Sequence, residues 1–324
     1  MSDNLVRILF GNTFVVSDAN GDFEESPTNA TGMFSFDTRF LSTWVLTVNG
    51  ERLQALSVDD LQYYETRFFL IQGEAAQYID ANVSVIRHRW VGSSFAEQLT
   101  IINHDQEPAD LTLRIEAGCD FADLMEIKNV KPKKGHRYAR VAEDALVLGY
   151  ERGSFRRETA ITPSGEAQID EHGLTYHVRI EPQHTWTTEI MVKSKILGPT
   201  GGDIRALLVG HDRPHPQMTE ELAAWLDKAP RLDSDWGLLV STYRRSLIDL
   251  AALRFAPITA PGRGLPAAGL PWFMSIFGRD SILTSLQALP FVPELAATTL
   301  ELLGSLQGAR LDDFREEEPG KILH

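Results

Sequence analysis

The run Leu111-Thr112-Leu113-Arg114-Ile115-Glu116-Ala117 alternates apolar and polar residues without a break. A period of two turns one side of the chain toward a core and the other toward water, the mark of a half-buried β-strand. Leu174-Thr175-Tyr176-His177-Val178-Arg179-Ile180 repeats the pattern. Trp186, Thr188, Ile190 and Val192 carry it further, and Phe95, Glu97, Leu99 and Ile101 share one side of another run with one polar exception. Turn residues recur between the runs: Ala19-Asn20-Gly21-Asp22, Asn49-Gly50, Ser164-Gly165 and His172-Gly173. Many short strands with few helices between them predict antiparallel sheets stacked face to face. Such a region is large for a single immunoglobulin-sized sandwich of about 100 residues. The expectation is a large, supersandwich-like antiparallel β-sandwich over residues 1–196.

Beyond it the texture changes. Gly198-Pro199, Gly201-Gly202 and Arg213-Pro214-His215-Pro216 read as a linker with a short element, residues 197–233. Met218, Leu222, Trp225 and Leu226 fall on one helical face after Pro216. The spacing of Trp236, Leu239, Val240, Tyr243, Leu247, Leu250 and Ala251 predicts a helix from about Ser234 to Phe255, with Asp233 or Ser234 as its N-cap. A Gly/Pro-rich loop, Ala260 to Pro266, follows. Two more helices are expected, Asp280 to Leu289 and Pro293 to Leu306, separated by Pro290 and Pro293. Strands followed by helices, without alternation, mean two domains rather than an α/β sheet. The wide apolar faces and thin core of residues 234–324 predict an incomplete all-α domain, with the chain breaking off inside it. Apolar faces left open there would encourage self-association.

The 324 residues include 31 Lys and Arg against 45 Asp and Glu, a net charge of −14. That balance excludes general nucleic-acid binding, which needs a basic face, and docking on an anionic membrane. The lone cysteine, Cys119, cannot staple the fold; it ends an alternating strand and reads as a small core or edge residue. No apolar run approaches the ~18 residues of a membrane span, and the N-terminus does not read as a signal peptide. The expected location is the cytoplasm, and the triplets Asn29-Ala30-Thr31 and Asn82-Val83-Ser84 are read as chance matches to a glycosylation site. The basic run Lys131 to Arg137 reads as a hairpin loop. His211 and His215 are four apart with Pro214 between them, which spoils a helical metal pair. No residue cluster implies a metal or a cofactor. Phosphate loops, dinucleotide glycine fingerprints and nucleophile elbows are missing from the sequence.

The densest candidate for chemistry runs from Gly269 through Trp272, Phe277 and Gly278 to Arg279 and Asp280, a loop that opens a helix. Trp272 and Phe277 offer flat faces to the C–H side of a sugar. Arg279 offers a planar fork of donors, and Asp280 can accept from hydroxyls or transfer a proton. The plainer alternative makes Asp280 an N-cap, Arg279 its ion partner and the aromatics core. A second candidate is Phe314-Arg315-Glu316-Glu317-Glu318-Pro319-Gly320-Lys321. Paired carboxylates perform glycoside hydrolysis, one protonating the leaving oxygen and one activating water; the alternative is a solvated charge run.

Several separated motifs resemble one family. Gly32 to Ser42, containing Phe36-Asp37-Thr38-Arg39-Phe40, with Leu46 to Gly50, resembles the opening of the N-terminal domain of bacterial glycogen-debranching, amylo-alpha-1,6-glucosidase-like proteins. Asp120-Phe121-Ala122-Asp123-Leu124-Met125-Glu126 looks like a further signature of that domain. Pro271 to Asp280 and Phe314 to His324 look like the start of the family's catalytic domain. The resemblance implies a β-sandwich followed by an (α/α)6 barrel, an inverting acid/base mechanism and an α-glucan substrate, with hydrolysis at α-1,6 branch points. It implies that Arg279 and Asp280 hold the glucosyl unit, or that Asp280 is the general acid, with Glu318 and Lys321 near the same pocket mouth. A twelve-helix barrel needs on the order of 300 residues at about three turns per helix plus loops. The chain alone is therefore expected to lack glucosidase activity. The alternative expectation is a non-catalytic carbohydrate-binding or scaffolding module, with an exposed aromatic platform on the sandwich.

Overall fold

A computed structural model describes residues 5–26, 29–72, 82–130, 134–198, 201–203, 215–257 and 263–323. The expected linker, the Gly/Pro-rich loop and the basic run thus fall partly outside the described residues, and His211 falls wholly outside. The chain divides into two compact units, residues 1–205 and 206–324.

The first unit is antiparallel β. A four-stranded sheet is formed by β1 (Val6–Phe10), β2 (Thr13–Ser17), β3 (Gly32–Ser35) and β4 (Thr38–Leu41) in that order. The remaining strands are β5 (Thr43–Val48), β6 (Glu51–Gln62), β7 (Glu65–Gln72), β8 (Val83–Val91), β9 (Phe95–Asn103), β10 (Ala109–Gly118), β11 (His136–Ala142), β12 (Ala145–Arg152), β13 (Phe155–Pro163), β14 (Gln168–Asp170), β15 (Gly173–Ile180) and β16 (Thr185–Leu197). They form one twelve-stranded sheet in the order β11-β12-β13-β16-β9-β8-β7-β6-β5-β10-β15-β14. The sheet folds at β6, which pairs with β5 only at Thr47–Arg52 and Val48–Glu51 but with β7 along its length. Asn49 (φ 53°) and Gly50 (φ 83°) make the tight turn between β5 and β6, the Asn-Gly chemistry such a hairpin requires. Folding brings β14, at one end of the sheet, against β11 and β12 at the other.

The alternation read from the sequence is the alternation of burial. In β10, Leu111, Leu113, Ile115 and Ala117 point into the core, and in β15 Leu174, Tyr176 and Ile180 do the same. Between the two halves of the sheet lies one apolar core that includes Trp44, Phe68, Phe95, Leu99, Ile101 and Val192. Trp44 stands edge-on to Phe95 with centroids 5.9 Å apart. After β10 the chain turns into a short helix, α1 (Leu124–Lys128), started by a capping box in which Asp123 accepts from the Glu126 amide and Glu126 accepts from the Asp123 amide. Cys119 sits before that helix, its sulfur donating to the Phe40 carbonyl at 2.6 Å; burial pushes its thiol up and makes it unreactive.

The second unit contains α2 (His215–Lys228), α3 (Gly237–Ala252), β17 (Arg254–Phe255), β18 (Leu265–Pro266), α4 (Gly278–Ala288) and α5 (Pro293–Ser305). Two expected helix starts move. Ser234 does not cap α3: its hydroxyl accepts from the Trp236 amide at 3.1 Å and closes a turn before the helix, whose N-cap is Trp236. In α4, Gly278 and Arg279 are already helical, so Asp280 lies inside the first turn and Phe277 is the N-cap. Leu247, Ala288, Val292 and Leu295 form a small core, flanked by Trp225, Tyr243 and Leu250. The Trp225 indole donates to the Leu247 carbonyl at 2.9 Å and so ties α2 to α3.

Candidate functional site

The stretch from Gly269 to Asp280 is a looped approach to α4. Phe273 donates its amide to the Gly269 carbonyl at 2.9 Å, and Ala268 donates to the Phe273 carbonyl at 3.2 Å, which closes the loop on itself. Phe273 and Phe277 meet edge to face at 5.8 Å, and Met274 is buried beneath them. The helix that follows is anchored by two hydroxyls: Ser281 donates to the Pro266 carbonyl at 2.6 Å, and Ser285 bonds Thr299 of α5 at 2.9 Å. Arg279 is exposed, while Asp280, Trp272 and Phe277 are half-buried. Among the described residues neither Arg279 nor Asp280 has an ion-pair or side-chain hydrogen-bond partner. The cap and ion-pair roles that a purely structural reading requires are therefore not the ones these side chains take. An acidic side chain in the first turn is also where the helix dipole favours a carboxylate.

The acidic segment is a small irregular hairpin. Asp312 and Glu317 exchange backbone bonds at 3.0 Å, and the Gly308 amide donates to the Lys321 carbonyl at 2.8 Å. Glu318 and Lys321 are exposed; they meet through their backbones, the Lys321 amide donating to the Glu318 carbonyl at 3.0 Å. No bond among the described residues joins their side chains to Arg279 or Asp280. A hollow of this unit lies between α3 and α4, lined by Tyr243, Leu247, Leu250, Gln287 and Phe291, with a volume of about 450 Å³. It does not include the Arg279 loop.

In the first unit the structure buries charge within strands that alternate apolar and polar residues. Arg87 and Arg89 of β8 point inward beside Val83, Val85 and Val91. Glu97 of β9, the polar exception in its run, is fully buried between them. Arg87 bonds Glu97 at 3.1 Å and Asp22 at 2.5 Å, Arg89 pairs with the other oxygen of Glu97, and the Trp44 indole donates to Glu97 at 3.2 Å. Burial opposes every one of these charges. Glu97 and Asp22 nonetheless hold Arg87 above its usual range, and the two arginines hold Glu97 below its own. Burial wins at Arg89, which falls to about 10 beneath the rings of Phe68 and Phe95.

The residues that carried the family resemblance do structural work. Arg39 is buried and pairs with Asp120, Nε to Oδ1 at 3.1 Å. It also donates to the carbonyls of Ser26, Asn29 and Thr31 at 3.1–3.3 Å, and so pins the segment before β3. The exposed aromatic platform expected of a binding module is not what the sandwich shows: the exposed large apolar side chains described in this unit are Leu56, Met125, Val130 and Val141. Among the described residues no group of three or more His, Cys, Asp or Glu stands close enough to hold a metal ion, and no helix is long and apolar enough to cross a membrane.

A sequence profile for the N-terminal domain of (some) glycogen debranching enzymes matches residues 8–191. No curated protein matches the chain. Solved structures similar to it include a putative kojibiose phosphorylase from the human microbiome, at 9% identity and a TM-score of 0.38, covering 75% of this chain. The chain spans 35% of that protein's length. A putative aldose 1-epimerase from Escherichia coli K12 is similar at 7% identity and a TM-score of 0.35, over 60% of this chain and 99% of its own. Since the profile takes in most of the sandwich and more than half of the residues, the chain belongs to the family that carries the glycogen-debranching-enzyme N-terminal domain.

Proposed function

We propose that the protein works on α-glucan as part of a glycogen-debranching-type glycoside hydrolase, with the Arg279–Asp280 turn at the sugar-binding end of the site. Membership of the debranching family is the observation that carries this reading. The unpaired Arg279 and Asp280 beside Trp272 and Phe277 support it, because a sugar ring needs both C–H contact and hydroxyl partners. In an inverting hydrolysis one carboxylic acid gives its proton to the glycosidic oxygen as the C–O bond breaks. A second carboxylate takes a proton from the water that attacks the anomeric carbon from the opposite face, and the two stand about 6.5–9.5 Å apart. Asp280 is our candidate for the acid or for the residue that binds the hydroxyls of the cleaved-end glucosyl unit. Hydrolysis at α-1,6 branch points is the linkage we propose, and the cytoplasm is the compartment that a net charge of −14 and a single bonded thiol suit.

Asp280→Asn, made in a full-length parent that carries the complete catalytic barrel, separates these roles. Loss of an acid lowers kcat on a branched α-glucan by about 10²–10⁴ and removes the alkaline limb of the pH profile. Loss of a hydroxyl acceptor lowers affinity for maltodextrin with a smaller change in kcat. Unchanged binding and turnover would take Asp280 out of the site. A chain that binds no α-glucan at millimolar concentration would sink the whole reading.

A further inference from the structure

Two hollows of the first unit are adjacent and share part of their lining. The first, about 570 Å³, is lined by Asp18, Asn20, Glu24, Asn29, Thr31 and Arg52 over an apolar floor that includes Leu5, Ala19 and buried Phe23. The second, about 610 Å³, shares Leu5 and Ala19 and runs on beside Ala55 to Val58 of β6. Each lies within the ~300–1,000 Å³ of ordinary ligand pockets.

The walls are held from behind by two buried arginines. Arg87 bonds the Asn20 carbonyl at 2.9 Å and the Asp22 carboxylate, which fixes the Asp18–Asp22 turn. Arg39 fixes Ser26, Asn29 and Thr31 through their carbonyls. Asn20 clips the turn to β6, its side-chain oxygen accepting from the Ala55 amide at 2.8 Å. A rim held in this way is ordered before a ligand arrives, which lowers the entropic cost of binding.

The rim mixes acceptors with donors. Asp18 and Glu24 accept; Arg52, paired with Glu24 at 2.6 Å, donates; the Asn29 amide does both, and the Thr31 hydroxyl, which donates to the Glu24 carbonyl at 3.5 Å, keeps its lone pairs as acceptors. A sugar hydroxyl gives and takes a hydrogen bond at once, and its ring carbons rest on apolar surface. Asp22 is matched by Arg87, Glu24 by Arg52 and Glu25 by Arg137 at 3.5 Å, so among the described residues Asp18 alone of the lining carboxylates has no ion-pair partner, and the lining offers no surplus positive charge to an anion. The second hollow runs along the outer edge of β6, which beyond Arg52 pairs with no strand among the described residues and whose Ala55 amide is already taken by Asn20. Its length beyond the first hollow asks for more than one ring.

We propose that this cleft is a carbohydrate site on the sandwich, separate from the Arg279–Asp280 turn, that holds a neutral oligosaccharide; its identity as an α-glucan segment rests on the function proposed above. The test uses the 324-residue chain, maltoheptaose, and cello- and galacto-oligosaccharides, with calorimetry and amide hydrogen exchange as readouts. Ala19→Trp fills the floor from an accessible turn position, and Asn29→Ala removes a rim amide without touching the core. Maltoheptaose is expected to protect amides in residues 18–31 and 52–58, and Ala19→Trp to weaken it at least tenfold with an unchanged melting temperature. Asn29→Ala is expected to weaken it by a few-fold. Maltoheptaose binding that both variants leave intact, with protection confined to residues 269–280, overturns the cleft and leaves the glucan reading standing. Binding of a cello- or galacto-oligosaccharide alone, lost in Ala19→Trp, upholds the cleft and overturns the α-glucan assignment. Binding of none of the three by the parent chain overturns the cleft.

Discussion

Glu97 shows how one residue can hold a sandwich of this size in a single arrangement. It is fully buried and answers two guanidinium groups and an indole. A buried charge network of this kind gives no assured net stability over an apolar core, but removing one member leaves the others uncompensated. Glu97→Gln keeps the shape and loses the charge. It is expected to cost the first unit about 3–5 kcal/mol, read from its urea transition. A loss under about 1 kcal/mol would mean that water or a rearranged Asp22 can neutralise Arg89. Arg89 has two side-chain nitrogens with no partner, and Gly21 explains how it fits. A Cβ at Gly21 would lie 3.2 Å from both the Arg89 guanidinium and the Phe68 ring, and its φ of +80° suits glycine besides. The sequence showed part of this. Arg87 and Arg89 share the parity of Val83, Val85 and Val91, which marks two arginines on an inward face. The partner Asp22 lies 65 residues away, and no local signal joins the two.

At the scale of elements, the alternating strands were legible because burial and sequence have the same period. Their order was not, since β16 lies between β9 and β13 and β10 lies between β5 and β15. Such pairings depend on the whole core. Cross-strand charge then locks the register locally. Arg114 of β10 bonds Thr175 of β15 at 3.0 Å and reaches past it to Asp170 of β14 at 2.7 and 2.9 Å. That hydrogen-bonded guanidinium holds the Asp170 carboxyl at about 2, well below its usual value. A depressed carboxyl contributes stability that is present above its unfolded pKa, near 3.9, and is lost as pH falls through about 2. Asp170 is 56% exposed and Arg114 23%, so the pair is well screened by solvent and worth less than about 1 kcal/mol. Asp170→Asn is expected to remove that small part of the acid-induced loss between about pH 4 and pH 2, measured as the difference in melting temperature from the parent chain. An identical pH dependence in the two proteins would show that the pair does not hold in solution.

For the molecule as a whole, the two units solve burial differently. The sandwich places its large apolar groups inside, and β14 meeting β11 and β12 leaves little sheet edge open. In the helical unit α4 buries Ser281, Ser285 and Ala288, while Leu283 and Leu286 stand 51% and 63% exposed. Leu238 on α3 and Leu300 on α5 are exposed as well. Periodicity found these helices but could not tell their inner faces from their outer ones: Trp236 and Leu239, which share the predicted apolar face of α3, are exposed, while on α4 the small hydroxyl residues Ser281 and Ser285 make the inward contacts. Of the two candidate sites, the Arg279–Asp280 turn is local in sequence and could be picked out there, whereas the proposed Asp18–Arg52 cleft is lined by segments tens of residues apart that Arg39 and Arg87 hold from behind. We propose that the outward leucines draw copies of the chain together. Leu283→Lys with Leu286→Glu removes apolar surface that folding does not bury, so the unfolding free energy should hold within about ±0.5 kcal/mol, as is usual for surface changes. The parent chain should show concentration-dependent mass in sedimentation and bind an apolar dye, and the double variant should do less of both. If instead the variant unfolds, those leucines are packed in solution, and the outward face assigned to α4 is wrong.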